Sequence, residues 1–281
     1  MTVVAVVGAG VMGVDVAATA AHYGYDVILK DVDPGVLSEA PAIMRRNVRS
    51  YRMVSPELQE WNAADIVGRI TFTDTYEGFG QADWVIENVT EDWEVKSAVY
   101  KELSGVCSAE AFFAVNTSCI SITKLAALMP RPERVIGMHF MNPVPLKEAV
   151  ETVRGFHTSE ETIAASESLL RSMNKTAILV NDFPGFVANR LSHLFMNEAA
   201  FLVQDRVAEP AQIDAIFKQG YGHRMGPLET ADLIGLDTVV RSLEVLYQNY
   251  QDPKFRCCPL LRQMVDAGLY GRKSGRGFNM Y

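Results

Sequence analysis

The segment that most constrains this chain is Gly8-Ala-Gly-Val-Met-Gly13, set between a five-residue apolar run and an alanine-rich stretch without proline. Val3 to Val7 is short and continuously apolar, the pattern of a parallel strand buried on both faces. Val11 to about Tyr23 predicts a helix, Gly24 stops it, and Asp26 to Asp31 reads as a second strand. The result is a βαβ unit of about thirty residues, the setting in which such a glycine turn has a mechanical meaning. Gly8 permits a tight turn, Gly10 lets backbone approach a pyrophosphate, and Gly13 lets the helix pack closely on the strand. The unpaired N–H groups and positive dipole end of that helix favour an anion there.

Asp31 lies 18 residues beyond Gly13, at the end of the second strand. A carboxylate there accepts hydrogen bonds from adenosine ribose hydroxyls and repels a 2′-phosphate. Asp33 adds negative charge, and the local cation, Lys30, should point to the other face of its strand. The expected cofactor is therefore NAD rather than NADP; the alternative reading of Asp31 is a turn-capping carboxylate.

Further strands are expected near Ile70–Phe72, Trp84–Glu87, Phe112–Val115, Val135–His139, Ala149–Val153 and Ala177–Val180, most of them separated by helical stretches. This alternation implies an α/β fold, a doubly wound and mostly parallel sheet with helices on both faces. After Pro184 the strand signals stop, and Val187–Val207, Ala211–Gln219, Leu228–Tyr250 and Leu260–Ala267 read as helices. The turn chemistry of Asp182-Phe-Pro-Gly185 places a boundary there, dividing residues 1–183 from an all-helical domain, 184–281. A chain of 281 residues, 48% hydrophobic, suffices for one large and one small domain. Its net charge of −8 argues against nucleic acid or an anionic membrane as a partner recognised through overall charge. Four cysteines without paired ligand spacing suggest neither a metal site nor a disulfide framework, and with no leader or membrane span expected, a cytoplasmic location follows.

A second chemical segment is His139-Phe-Met-Asn-Pro143. His139 falls at the carboxyl end of a strand, where open α/β sheets bind ligands, and an imidazole can accept an alcohol proton near neutral pH. Glu151 is 12 residues on, past a Pro143-x-Pro145 turn that can double the chain back; a carboxylate there would fix the imidazole tautomer. A structural histidine is the alternative.

Several ordered motifs resemble the 3-hydroxyacyl-CoA dehydrogenase family: Gly8 to Gly13, Glu87-Asn-Val-Thr-Glu91 through Lys96, Asn116-Thr-Ser118, His139 to Pro143 with Glu151, Pro184-Gly-Phe-Val-Ala-Asn-Arg190, and Gly271 to Phe278. The resemblance covers essentially the whole chain and implies a Rossmann-type NAD domain followed by a helical domain that binds substrate and forms a homodimer. It implies that His139 and Glu151 are the catalytic pair, and that Ser118 and Asn189 hold the reacting oxygen. It also places Val11, Met12, Asp31, Glu91, Lys96 and Asn116 near the cofactor, with the glycines. Bland alternatives are a helix cap for Ser118, a solvated helix face for Asn189, and surface charges for Glu91 and Lys96.

The resemblance implies a 3-hydroxyacyl thioester as substrate. Phe140-Met-Asn-Pro143 and Leu146-Lys-Glu-Ala-Val150 depart from the usual family wording and look more like a polyketide subgroup. Those enzymes oxidise glyceryl-acyl carrier protein towards hydroxymalonyl or methoxymalonyl units, so an acyl carrier protein substrate is expected. Arg45, Arg49 and Arg52, at helical spacing, would suit an acidic carrier; CoA-specific relatives use lysines in this region for nucleotide phosphates. The alternatives are 3-hydroxybutyryl-CoA, a free hydroxy acid, and a non-catalytic NAD-binding protein.

Overall fold

The computed structural model describes residues 2–281. The chain divides into two compact units, Met1–Phe183 and Pro184–Tyr281. In the first, eight strands form one sheet: β1 Val3–Val7, β2 Asp26–Lys30, β3 Ile70–Thr73, β4 Trp84–Glu87, β5 Phe112–Val115, β6 Val135–Phe140, β7 Ala149–Arg154 and β8 Thr176–Asn181. Their order is β3-β2-β1-β4-β5-β6-β7-β8. β1 to β6 run parallel, and the order reverses between β1 and β4, the switch point at which doubly wound sheets bind ligands. Val4 to Val7 of β1 are fully buried, as a strand covered on both faces requires.

Chain direction changes once. β7 turns back antiparallel to β6, with His139 directly opposite Glu151, and β8 runs parallel to β7. The proline turn thus forms a hairpin whose loop is a 3-10 turn at Val144–Leu146.

The helices of this unit are α1 Val11–His22, α2 Pro34–Val54, α3 Ala63–Gly68, α4 Trp93–Val106, α5 Ile122–Ala126 and α6 Glu160–Ser172. Their starts obey local rules: Asp33, Asn62, Asp92, Ser121 and Ser159 each accept a backbone N–H of the first turn. α1 begins differently, with Gly10 at its N-cap and no side-chain cap, which leaves that terminus open to an external anion.

The second unit contains α7 Ala188–Gln204, α8 Pro210–Ala215, α9 Pro227–Ile234, α10 Leu236–Tyr250 and α11 Pro259–Asp266. One long helix over Leu228–Tyr250 was the expectation, but it is broken at Gly235, whose φ of +103° no helix accommodates. The helix expected at Ala211–Gln219 continues beyond α8 as a π-turn, Ile216–Gly220. Buried Asp214 caps α9 by accepting from the N–H groups of Leu228 and Glu229. Buried Asp232 accepts from Phe278 N–H, Asn279 N–H and the Tyr281 hydroxyl, so the C-terminal tail is pinned within its own unit. Among the described residues no helix is long and apolar enough to cross a membrane.

The most enclosed charge pair lies under the carboxyl ends of β4 and β5. Lys96 and Glu87 are both fully buried, with Nζ 2.7 Å from Oε1 and 2.9 Å from Oε2. Burial pushes the Glu87 carboxyl above its ordinary range, and the ammonium opposes that rise. Removing one member leaves the other charge unpaired, so Lys96→Met should lower unfolding free energy by about 3–5 kcal/mol in urea titration. A loss below about 1 kcal/mol would contradict this reading of the pair.

Candidate active site and cofactor cleft

The glycine turn leaves β1 with Gly8 at φ +94°, and a Cβ there would stand 2.9 Å from the carbonyl group of Asn88. A Cβ on Gly13 would meet Gly8 O at 1.7 Å, which shows how closely α1 lies on the turn. Gly10 is the opposite case: a Cβ would meet nothing within 4 Å, so this glycine keeps open space beside the helix N-terminus. Val11 is exposed and Met12 half-buried at the start of α1.

The turn borders a cavity of about 280 Å³ lined by Gly8, Gly10, Asp31, Val32, Asn88 and Thr90, among others. Asp31 Oδ2 accepts the Ala9 N–H at 2.7 Å and Oδ1 the Asp33 N–H at 3.0 Å. Asp31 therefore caps the turn and also lines the cavity. Lys30 is buried, its ammonium 4.4 Å from the centre of the Tyr76 ring. An open helix N-terminus for a pyrophosphate, a slot for an adenosine and a carboxylate at its rim fit a dinucleotide.

The reacting groups stand at the ends of β5, β6 and β7. His139 Nδ1 is 2.9 Å from Glu151 Oε2, and Nε2 is 3.1 Å from Ser118 Oγ; both members of the pair are buried. A carboxylate only accepts, so Nδ1 carries the proton, and Nε2 is left as an acceptor. Ser118 does not cap the next helix; Ser121 does. The loop presenting Ser118 is held by Glu91, whose Oε1 accepts from Thr117 Oγ1 at 2.6 Å and from the N–H groups of Ser118 and Cys119 at 2.9 Å.

Asn116 ties the strand ends together. Its Nδ2 donates to Asn88 Oδ1 at 2.7 Å, its Oδ1 accepts the Phe140 N–H at 3.2 Å, and its carbonyl accepts from Lys96 Nζ at 3.0 Å. Lys96, read from sequence as a cofactor neighbour or a surface charge, is neither exposed nor open to the cavity: burial in the Glu87 pair puts it under the loop. Glu91 is likewise occupied as a brace, with its Oε2 at 4.0 Å from Lys96 Nζ. Asn189 belongs to the second unit, on the first turn of α7, where its carbonyl accepts from His193 Nδ1 at 2.9 Å. Sequence reasoning did not single out Asn88, Thr90, Val32, Val36, Val95 or Val99, all of which line the cavity. The one available signal was apolar residues on the outward positions of α4, since Val95 is 43% exposed.

A dinucleotide cradle beside a histidine poised as a proton acceptor is the equipment of a nicotinamide-dependent oxidoreductase. Residues 3–183 match the NAD binding domain of 3-hydroxyacyl-CoA dehydrogenase, and residues 185–281 match its C-terminal domain. The chain belongs to the 3-hydroxyacyl-CoA dehydrogenase family, and its first unit is an NAD-binding domain. It is 45% identical over 276 residues to a probable 3-hydroxybutyryl-CoA dehydrogenase of Bacillus subtilis, covering 98% of this chain and 96% of that one. The 3-hydroxybutyryl-CoA dehydrogenase of Bradyrhizobium diazoefficiens is 43% identical over 279 residues, covering 99% of this chain and 94% of that one. The crystal structure of (S)-3-hydroxybutyryl-CoA dehydrogenase from Ralstonia eutropha superposes with a TM-score of 0.93 at 39% identity, covering 100% and 99% of the two chains.

The different surroundings of Gly10 and Gly13 yield a test. Gly10→Ala should leave the thermal midpoint within about 2 °C while weakening NAD binding, because the methyl group enters only the ligand's space. Gly13→Ala should lower the midpoint itself, through the clash with Gly8. Calorimetry with NADH titration separates the two, and equal effects would refute the distinction.

Proposed function

We propose that this chain oxidises the 3-hydroxyl of a short-chain 3-hydroxyacyl-CoA, of which 3-hydroxybutyryl-CoA is the representative substrate, with NAD as acceptor. The observation that carries the reading is the continuous Ser118–His139–Glu151 relay, which ends in an acceptor nitrogen at the carboxyl edge of the sheet. The 3-hydroxybutyryl-CoA relatives favour a CoA thioester over the acyl carrier protein expected from the wording around His139.

Bound NAD supplies the hydride acceptor, held by the glycine turn and Asp31. His139 Nε2 takes the hydroxyl proton during oxidation, and Glu151 stabilises the resulting imidazolium through the Nδ1 hydrogen bond. Ser118 Oγ, within reach of the same nitrogen, orients the substrate oxygen, and for Asn189 on α7 a substrate-binding role is carried by the family resemblance alone. Homodimerisation through the helical unit and a cytoplasmic location belong to the same proposal, carried by family membership.

Arg45, Arg49 and Arg52 of α2 line a cavity of about 720 Å³ with Met53, Gln59 and Asn62. Among the described residues none of the three forms a salt bridge, in a chain of net charge −8. Unpaired guanidinium groups facing one cavity suit the phosphates of a CoA nucleotide.

His139→Gln and Glu151→Gln should each lower kcat by about 10²–10⁴-fold without unfolding the protein, and full turnover by folded His139→Gln would sink the assignment. Reversing the charge of Arg45, Arg49 and Arg52 should raise KM for 3-hydroxybutyryl-CoA at least about 10-fold, in a salt-dependent way, with kcat little changed. Initial NADH formation compared between 3-hydroxybutyryl-CoA and the same acyl group on a carrier protein decides the thioester; a strong preference for the carrier protein would overturn the CoA reading.

A further inference from the structure

Two buried charges lie against the loop between His139 and Glu151, and the chemistry above uses neither. Lys175, just before β8, is 8% exposed, and its Nζ donates to Val144 O at 2.8 Å, Lys147 O at 2.8 Å and Pro145 O at 3.3 Å. An ammonium has three donors and no acceptor, so three carbonyl oxygens match it fully. Among the described residues it has no carboxylate within salt-bridge distance.

The second charge is Asp15, 1% exposed, on the helix that begins at the glycine turn. Its Oδ2 accepts the Tyr51 hydroxyl at 2.7 Å and its Oδ1 accepts Asn47 Nδ2 at 3.1 Å, both from α2. The main-chain amide of Val144 lies near enough to this carboxyl to oppose the rise that burial imposes on it. The Val144 carbonyl is thereby held by a cation, with the Asp15 carboxyl near its amide.

We propose that Lys175 and Asp15 are positioning residues for the His139–Glu151 pair, fixing the Pro143–Lys147 loop so that β6 and β7 keep the register that sets the imidazole–carboxylate distance. The proposal rests on His139 as the base. The loop is the only covalent link between the two strands at this end, and a charge removed from it frees backbone groups within a few residues of both members of the pair.

The arrangement carries a pH dependence. Burial pushes the Lys175 ammonium down to about 8, against Glu148 and Glu57, whose charges raise it. Asp15 faces the same residue through Val144, and Lys147 contributes its carbonyl. A neutral amine has two donors and a lone pair, so one of the three carbonyls then faces electron density instead of a proton. The group's effect on stability has the opposite sign. Its folded pKa lies below its unfolded value of 10.5, so between about 8 and 10.5 the unfolded chain binds more protons and this contribution to stability rises with pH. A fall in turnover over that window is therefore not unfolding driven by Lys175.

The test measures initial rates of 3-hydroxybutyryl-CoA oxidation from pH 6 to 10 for the wild type, Lys175→Met, Lys175→Arg, Asp15→Asn and His139→Gln, with circular dichroism as the check on folding. In the wild type, kcat falls above pH about 8, as Lys175 loses its charge. Lys175→Met and Asp15→Asn lose about 10- to 100-fold in kcat with KM for NAD within about twofold, and the Met variant lacks the alkaline fall. Lys175→Arg, charged throughout, recovers rate relative to Lys175→Met and also lacks the fall. The nitrogen-15 titration of the His139 ring moves in Lys175→Met, a signature that a structural role remote from the pair would not produce. Folded Lys175→Met with the wild-type kcat and the wild-type alkaline limb overturns the proposal. Should that variant not fold, an unshifted limb in Lys175→Arg overturns it. His139→Gln separates the two levels: if it retains full turnover the base assignment fails, whereas if it is inactive and Lys175→Met is normal, only the positioning role fails.

Discussion

Backbone polar groups at the carboxyl end of a parallel sheet run out of ladder partners, and a binding site there depends on what replaces them. In this protein a few ionised side chains do so. Lys96 takes the Asn116 carbonyl, Glu91 takes the amides of Ser118 and Cys119, and Asp31 takes the Ala9 amide. Each loop that faces the ligand is thereby attached to a charge that is itself buried or braced, so the loops have fixed shapes without being covered. The cost of burying Lys96 is met by Glu87, and that pair forms the foundation beneath the Ser118 loop.

The second organising event is the reversal at β7. Cross-strand neighbours in an antiparallel pair share a face, with Cβ atoms about 5 Å apart, close enough for an imidazole and a carboxylate to meet. A continued parallel sheet would have required a crossover helix before the next strand and would not have placed Glu151 opposite His139. The hairpin makes the relay local, and its loop is the point at which Lys175 and Asp15 act. Because Asp15 is on α1 and its partners Asn47 and Tyr51 are on α2, the helix that follows the glycine turn and the arginine-bearing helix are joined through one buried carboxylate.

Electrostatically the molecule is acidic overall with cationic character confined to particular places, and ligand charge is met locally. The α1 terminus has an N-cap glycine that offers no competing side chain, which suits an anion. The arginines of α2 are held in no salt bridge among the described residues and line one cavity.

Much of this was legible in the chain. The apolar run before Gly8, the alanine-rich helix after it and Asp31 just past β2 follow from periodicity and glycine chemistry, which act over a few residues, so the glycine turn and the doubly wound sheet were readable. The proline turn after His139 likewise pointed to Glu151 doubling back. What sequence could not convey was burial: Lys96 read as a cofactor neighbour or surface charge because nothing local says that Glu87 and the Asn116 carbonyl enclose it. Gly235 lay within a helical pattern, and only its backbone conformation divides that pattern into α9 and α10. Asp15 and Lys175 carry no motif, since the side-chain partners of Asp15 and the main-chain partners of Lys175 come from 28 or more residues away. The sequence by itself determined which elements form and which reactive groups they carry, because those depend on local propensity. Tertiary structure alone decided which charges are buried and which backbone groups they hold, because desolvation exists only once the elements have packed.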